Sequence, residues 1–288
     1  MSEQTAIIHD IGYRHYDGPR LGRGSAARAL AVHSLRGVFG LGRTTRAKII
    51  PFLLVAIMLL PAVVSIAVMA LVKQQGIGYT AYAVAMQAVL AIFLASQAPY
   101  LVAPDLRFRV LPLYLSRPVT VLDYVGAKLV AMTAALFLLL AVPLTLLYAG
   151  ELLVDLPEPV HTREYIASMV AALIAAALLA SVGLALASFT PRRGLGVASV
   201  IGFYLFTSGV SGVFFAALLA SGHEAAAKWT LLINPFFLVD AVQVALFGTE
   251  PSNGEGYPSG PWPALILLAV IALALTGLIA RYRKAASS

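Results

Sequence analysis

Six apolar runs, each near the roughly 20 residues needed to cross a bilayer, constrain this chain more than any motif in it. They cover Ile49 to Val72, Tyr79 to Ala103, Leu129 to Ala149, Tyr165 to Phe189, Leu195 to Ala220 and Trp262 to Ala280. None carries a Lys, Arg, Asp, Glu or His in its interior. A backbone in hydrocarbon must satisfy its own hydrogen bonds, so runs of this length predict helices. The fold class that follows is an all-α polytopic membrane protein with six transmembrane helices. Composition agrees, since 60% of the 288 residues are hydrophobic and only 11% are charged, a balance foreign to soluble domains. The formal charge of +7 does not point to nucleic acid, because the basic residues flank the runs instead of gathering with aromatics in one patch. With no cysteine, disulfides, thiol catalysis and thiolate metal sites are excluded.

Residues 1–48 form a polar N-terminal segment, 49–280 the six-helix domain and 281–288 a basic tail. A cleaved secretory signal would need its apolar core near the start, so the N-terminal segment is expected to be retained. Within it, Tyr13 to Gly24 has three glycines and a proline and reads as a loop. Ser25 to Lys48 reads as one interfacial helix, with Leu35, Val38 and Phe39 on one side and Arg28, Arg36 and Arg43 at headgroup level. Basic residues crowd the N-terminal segment, the second-to-third connection (Arg107, Arg109, Arg117, Lys128), the fourth-to-fifth (Arg192, Arg193) and the tail (Arg281, Arg283, Lys284). Only Lys73, Arg163 and Lys228 lie on the other side. The positive-inside rule therefore predicts that both termini are cytosolic, as an even number of spans requires. Ala and Arg usage is that of a GC-rich bacterium, which makes the expected location a bacterial cytoplasmic membrane.

The connection from Ser221 to Pro261 holds a seventh apolar stretch, Trp229 to Gly248, interrupted at Asn234-Pro235 and containing Asp240 and Gln243. A seventh span would put the termini on opposite sides, against the charge pattern, so the expectation is a re-entrant pair of short helices broken at Asn234 and Pro235. Catalytic and energising motifs are missing. None of the five lysines completes a P-loop. His223-Glu224 begins a zinc helix, but Ala227 occupies the second histidine's place, and Gly209 to Gly212 is one residue short of a nucleophile elbow. The five histidines, His9, His15, His33, His161 and His223, lie outside the runs and read as solvated or interfacial. No cofactor or metal is expected on this chain. Charge-free spans also leave no proton relay or ion-coupled pathway, so energy for any transport must come from elsewhere.

Two features remain. The fifth run sets Gly202, Thr207 and Gly209 among Phe203, Tyr204 and Phe206, and small residues of this kind let transmembrane helices approach closely. Together with Gln87 and Gln97 in the second run, these residues mark either a substrate path or a helix interface. The other feature is Pro104 to Lys128, a polar interruption that keeps Leu111, Leu113, Tyr114 and Leu115 beside its arginines. A short helix should precede Arg117-Pro118, and a new one should begin near Thr120 with Asp123 at its positive end. On the residues alone this is either a docking element or a loop whose leucines sit among lipid headgroups.

This arrangement resembles the membrane subunit of type-2 ABC transporters. The resemblance rests on an interfacial N-terminal helix, six spans, Asp105 ahead of a leucine-rich segment ending Leu115-Ser116-Arg117-Pro118, and Asp123-Tyr124-Val125-Gly126-Ala127-Lys128 opening the third span. Arg109 stands where the family has glycine, Pro112 interrupts the segment, and Ala127 separates Gly126 from Lys128. The resemblance implies that the second-to-third loop is a coupling helix seated on a separate ATP-binding subunit, with Asp105, Arg107, Arg109, Leu111, Tyr114, Leu115, Arg117 and Asp123 as coupling residues. It further implies a second contact through Arg28, Arg36 and Arg43, a paired permease chain, and ATP and Mg held by the partner. Export of a hydrophobic or amphipathic molecule is the expected activity. A membrane scaffold without transport is the competing reading.

Overall fold

The computed structural model describes residues 12, 18 and 21–287, apart from 75, 117, 118, 155, 156, 158 and 191. Its regular elements are eleven helices, with no strand among the described residues: α1 (Arg23–Val38), α2 (Thr45–Val72), α3 (Tyr82–Ala85), α4 (Gln87–Arg107), α5 (Leu111–Leu115), α6 (Val121–Leu153), α7 (Thr162–Phe189), α8 (Arg193–Ala220), α9 (Glu224–Leu231), α10 (Pro235–Phe247) and α11 (Trp262–Ala286). Six of these, α2, α4, α6, α7, α8 and α11, are long and apolar enough to cross a membrane.

Several helix boundaries differ from the sequence expectation. The N-terminal helix is two pieces, because α1 stops at Val38 and α2 starts at Thr45. Gly40 lies between them at φ +69°, and a Cβ there would meet the Ala47 carbonyl oxygen at 2.7 Å, so only glycine fits this turn. The second span begins at Gln87 and not Tyr79, since the chain first makes the separate turn α3. Tyr82 fixes that turn by donating its hydroxyl to the Met58 carbonyl of α2. At the C-terminus α11 runs on through Arg281 to Lys284, so the basic tail extends the last span as a helix. The loop expected at Tyr13 to Gly24 lies mainly outside the described residues.

The third span starts where Asp123 and Thr120 direct it. Thr120 caps α6, receiving the Asp123 amide at 3.3 Å, and the Asp123 carboxylate accepts from the Thr120 amide at 2.8 Å. This reciprocal box satisfies two donors that the first helical turn would leave bare.

Burial sorts the spans into two classes. The central stretches of α4, α6 and α7 are half or more enclosed (61%, 50% and 67%), whereas α2, α8 and α11 are 28%, 11% and 17% enclosed. α7 can occupy the centre because its inward faces are small, with Ala167, Ala171, Ala172, Ala175, Ala176, Ala180, Gly183 and Ala187 all buried. Lipid provides no hydrophobic drive between helices, so close backbone approach and dispersion hold them together. At Gly183 the approach leaves no room for a side chain, because a Cβ there would fall 2.5 Å from Leu94 Cδ1 and 2.7 Å from its Cγ.

Gly183→Val is therefore expected to destabilise the α4 and α7 contact by about 1–3 kcal/mol through overpacking. Gly194→Ala, at a position where a Cβ meets nothing within 4 Å, should be far milder. Thermal unfolding midpoints in a single detergent would separate the two.

Candidate functional site

The ends of the bundle differ sharply in charge. One end gathers α1, the close of α4, α5, the start of α6, the turn between α7 and α8, and the last turns of α11. Every described basic residue of the N-terminal segment, the α4 to α6 connection, the α7 to α8 turn and the tail lies there, while Lys73, Arg163 and Lys228 lie at the opposite end.

A buried network holds the basic end together. Asp105, in the last turn of α4, receives the Lys128 ammonium at 3.2 Å and the Tyr124 hydroxyl, both from α6. Tyr124 is fully enclosed and lies between Tyr114 of α5 and Tyr282 of α11, at ring centroid distances of 5.3 and 5.4 Å. Four helices thus meet at one carboxylate and one aromatic row. On the outer side Arg23 of α1 donates to both carboxylate oxygens of Asp123, at 2.6 and 2.9 Å, and to the Thr120 hydroxyl at 3.0 Å. That fork ties α1 to the cap of α6.

Asp105 faces inward, Leu111 is buried, and Asp123 is engaged by Arg23. Tyr114 and Leu115 are half-buried, Arg107 and Arg109 are exposed, and Arg117 lies outside the described residues. α5 comprises only Leu111–Leu115, little more than one turn. Arg109 adopts φ +51°, the left-handed region that a side chain disfavours and glycine takes freely. Sequence reasoning missed Phe108 and gave no special weight to Leu113, which are 68% and 70% exposed and form the apolar tip of this loop. Of the α1 arginines, Arg28 and Arg36 are exposed along one face. Arg43 instead stacks over Tyr100 of α4 at 4.1 Å.

Beside this tip, Arg107, Arg109, Arg192 and Arg281 open onto a cleft of about 470 Å³ between the α4 to α5 connection, the α7 to α8 turn and α11.

The opposite end carries a second buried network that the charge-free reading of the spans did not anticipate. Because α6 continues beyond Ala149 to Leu153, it encloses Glu151, which is 2% exposed. Glu151 receives the Tyr79 hydroxyl, the His161 ring nitrogen Nδ1 at 2.6 Å and the His161 amide at 3.2 Å. His161, with 21% of its side chain still exposed, is thereby a structural partner of Glu151 at this end of the bundle. Nearby the chain breaks at Leu232 to Asn234, bending α9 against α10 by 110°. Asn234 makes that break tolerable. Its carbonyl caps the Phe236 amide at 2.9 Å, and its amide group donates to Gln87 and Ser208, each at 3.2 Å. Asp240, also buried, accepts from Ser252 and Tyr257 in the following loop. Burial and the Asp240 carboxylate push the Tyr257 hydroxyl well above its ordinary value, so it remains a donor.

The residues expected to form a path or interface divide between these settings. Gln87 belongs to the Asn234 node, and Gln97 is buried and bonded to Ser96. Phe203 and Thr207 line an apolar groove of about 480 Å³ between α8 and α11, walled by α7 and the bent pair α9 and α10. Gly202, Phe206 and Gly209 lie on the bare face of α8, where a Cβ at either glycine would touch nothing. No group of three metal-ligating side chains occurs among the described residues. Asp105 stands at one end while His161 and Asp240 stand at the other, so they do not converge on a catalytic site.

The sequence matches the family described as ABC-2 family transporter protein over residues 55–281. No curated protein matches the chain.

Breaking the basic-end ion pair strands a buried charge. Lys128→Met is expected to cost about 3–5 kcal/mol, whereas the double change Asp105→Leu with Lys128→Met should recover most of that loss. Unfolding midpoints of the two variants in detergent measure the difference. Equal losses would mean that Asp105 is held chiefly by its other partners.

Proposed function

The chain belongs to the ABC-2 transporter family, and from that membership we propose that it works with a separate ATP-binding subunit to export a hydrophobic or amphipathic molecule. As a member it is a non-catalytic permease subunit of a membrane transporter. The observation that carries the finer reading is the apolar tip at the basic end, where Phe108 and Leu113 stand exposed above the half-buried Tyr114 and the buried Tyr124 and Tyr282. Exposed large apolar side chains on an otherwise charged face mark a protein contact. We assign to that contact Phe108, Leu113, Tyr114, Leu115 and Arg117, with Arg28 and Arg36 of α1 as a second point. ATP and Mg belong to the partner. A push on α5 reaches α6 and α11 through the aromatic row, and ligand binding at the partner can bias the bundle between two arrangements.

The positive-inside rule supports a basic end, and both chain ends with it, on the cytosolic side of a bacterial membrane. In that orientation α9 and α10 form a re-entrant pair facing outward. The bare α8 face, with Gly202, Phe206 and Gly209 at helical spacing, suits a second permease copy. The groove lined by Phe203 and Thr207 supports an apolar or amphipathic substrate, since it contains no charged side chain.

Two experiments test this reading. Replacing Phe108 and Leu113 by Asp should abolish co-purification of an ATPase in mild detergent while leaving the bundle's unfolding midpoint within about 1 kcal/mol, as exposed positions allow. Undiminished association would sink the coupling assignment and favour a scaffold. Gly202→Ile with Gly209→Ile should leave the monomer folded but lose cysteine-free crosslinking between copies, measured with a photoreactive linker in native membranes. Retained crosslinks would move the interface elsewhere.

A further inference from the structure

The cleft at the basic end has no use in the coupling scheme above. Arg107 comes from the last turn of α4, Arg109 from the turn after it, Arg192 from the α7 to α8 junction and Arg281 from α11. Sequence-distant elements therefore bring four guanidinium groups to one concavity of about 470 Å³, within the range of small-ligand sites, roughly 300–1,000 Å³. None of the four has a carboxylate at ion-pairing distance among the described residues. The single acidic lining residue, Asp105, is already balanced by Lys128 and Tyr124. Four unbalanced charges in a recess repel one another until an anion joins them.

Depth identifies the anion. Arg281 follows directly on the apolar run that ends at Ala280, Arg192 comes three residues after Phe189 closes α7, and Arg107 closes α4. All three sit where a membrane-spanning segment meets the headgroup layer. Arg281 is held there by its Nε, which donates to the Ser188 carbonyl at 3.3 Å and leaves its terminal nitrogens for another acceptor. Leu106, Leu111 and Ala285 give the same recess an apolar wall. An arginine fork suits phosphate oxygens, and an apolar wall beside it suits the glycerol and upper chain of a lipid.

We propose that this cleft binds the phosphate headgroup of an anionic phospholipid from the leaflet in contact with the basic end. The site depends on the protein being an integral membrane protein, not on its coupling to an ATPase, and it adds a ligand distinct from any transported molecule. Bound there, the lipid bridges α4, the α7 to α8 turn and α11 at the basic end, adding to the helix packing and the Arg281 bond that already join them.

The test uses the full chain, purified in mild detergent with added phosphatidylglycerol or phosphatidylcholine and weighed by native mass spectrometry. The wild-type protein should retain phosphatidylglycerol in preference to phosphatidylcholine. Arg192→Gln with Arg281→Gln should lower that retention by roughly tenfold or more. Arg107→Gln with Arg109→Gln, at exposed positions that leave the Ser188 bond intact, should do the same and guards against a folding defect in the first pair. Arg283→Gln with Lys284→Gln, which removes equal charge outside the cleft, should leave retention unchanged. Equal retention in all four proteins overturns the proposal in favour of general charge attraction. Displacement of the lipid by inorganic phosphate at millimolar concentration overturns it in favour of a free-anion site. If the cleft arginines prove protected only when an ATP-binding subunit is bound, the occupant is that protein and the lipid assignment fails.

Discussion

Hydrocarbon contains no water to satisfy a stranded donor or acceptor, and the interruptions in this chain are shaped by that shortage. Where α9 turns into α10, Asn234 supplies the cap for Phe236 and then spends its own amide on Gln87 and Ser208. Where α2 gives way to the loop before α3, Ser65 accepts the Ile77 amide at 3.1 Å. Other polar side chains of the spans, among them Ser96, Thr145, Ser181, Thr207 and Thr276, bond back to carbonyls of their own helix.

Two kinds of span result. α4, α6 and α7 pack through alanine and glycine faces so close that a single added carbon would collide, as at Gly183 against Leu94. α8 has equally small residues, yet Gly202, Gly209 and Gly212 face open space. The same residue type therefore has opposite meanings in the two helices. In α7 the missing side chain is filled by a neighbour, and at these three positions of α8 nothing fills it.

The apolar runs made the number and position of the six spanning helices legible, because hydrocarbon length and helical rise leave little freedom. The break at Asn234-Pro235 and the helix start at Thr120 were legible for the same local reasons that proline and capping residues always signal. What stayed hidden was pairing. Glu151 and Lys128 sat one or two residues outside the apolar runs and looked like membrane-flank charges, yet each is enclosed by partners from elements more distant in sequence, Tyr79 for one and Asp105 for the other. Nothing in a linear pattern distinguishes a charge that faces water from one that has found a partner 72 residues away. Asp105 and Asp123 carry the resemblance to the family's motif, but they face Lys128 and Arg23 of this same chain. Phe108 was obscured for the opposite reason, since an aromatic between two arginines looks unremarkable until its exposure is known.

One helix belongs to both polar networks. α6 has 33 residues, about 50 Å at 1.5 Å per residue, with Tyr124 and Lys128 near one end and Glu151 near the other. Its two ends are gripped by different elements, α4, α5 and α11 at one, and Tyr79 before α3 with His161 at the head of α7 at the other. Tilting one end must drag the other in the opposite sense, unless the shaft flexes. Pro143 interrupts its hydrogen-bond ladder between the two grips and provides the flexing point. Under the proposed coupling, a displacement of α5 would reach the Glu151 end either as a swing or as a bend, and the stiffness of the α6 shaft at Pro143 would set the proportion.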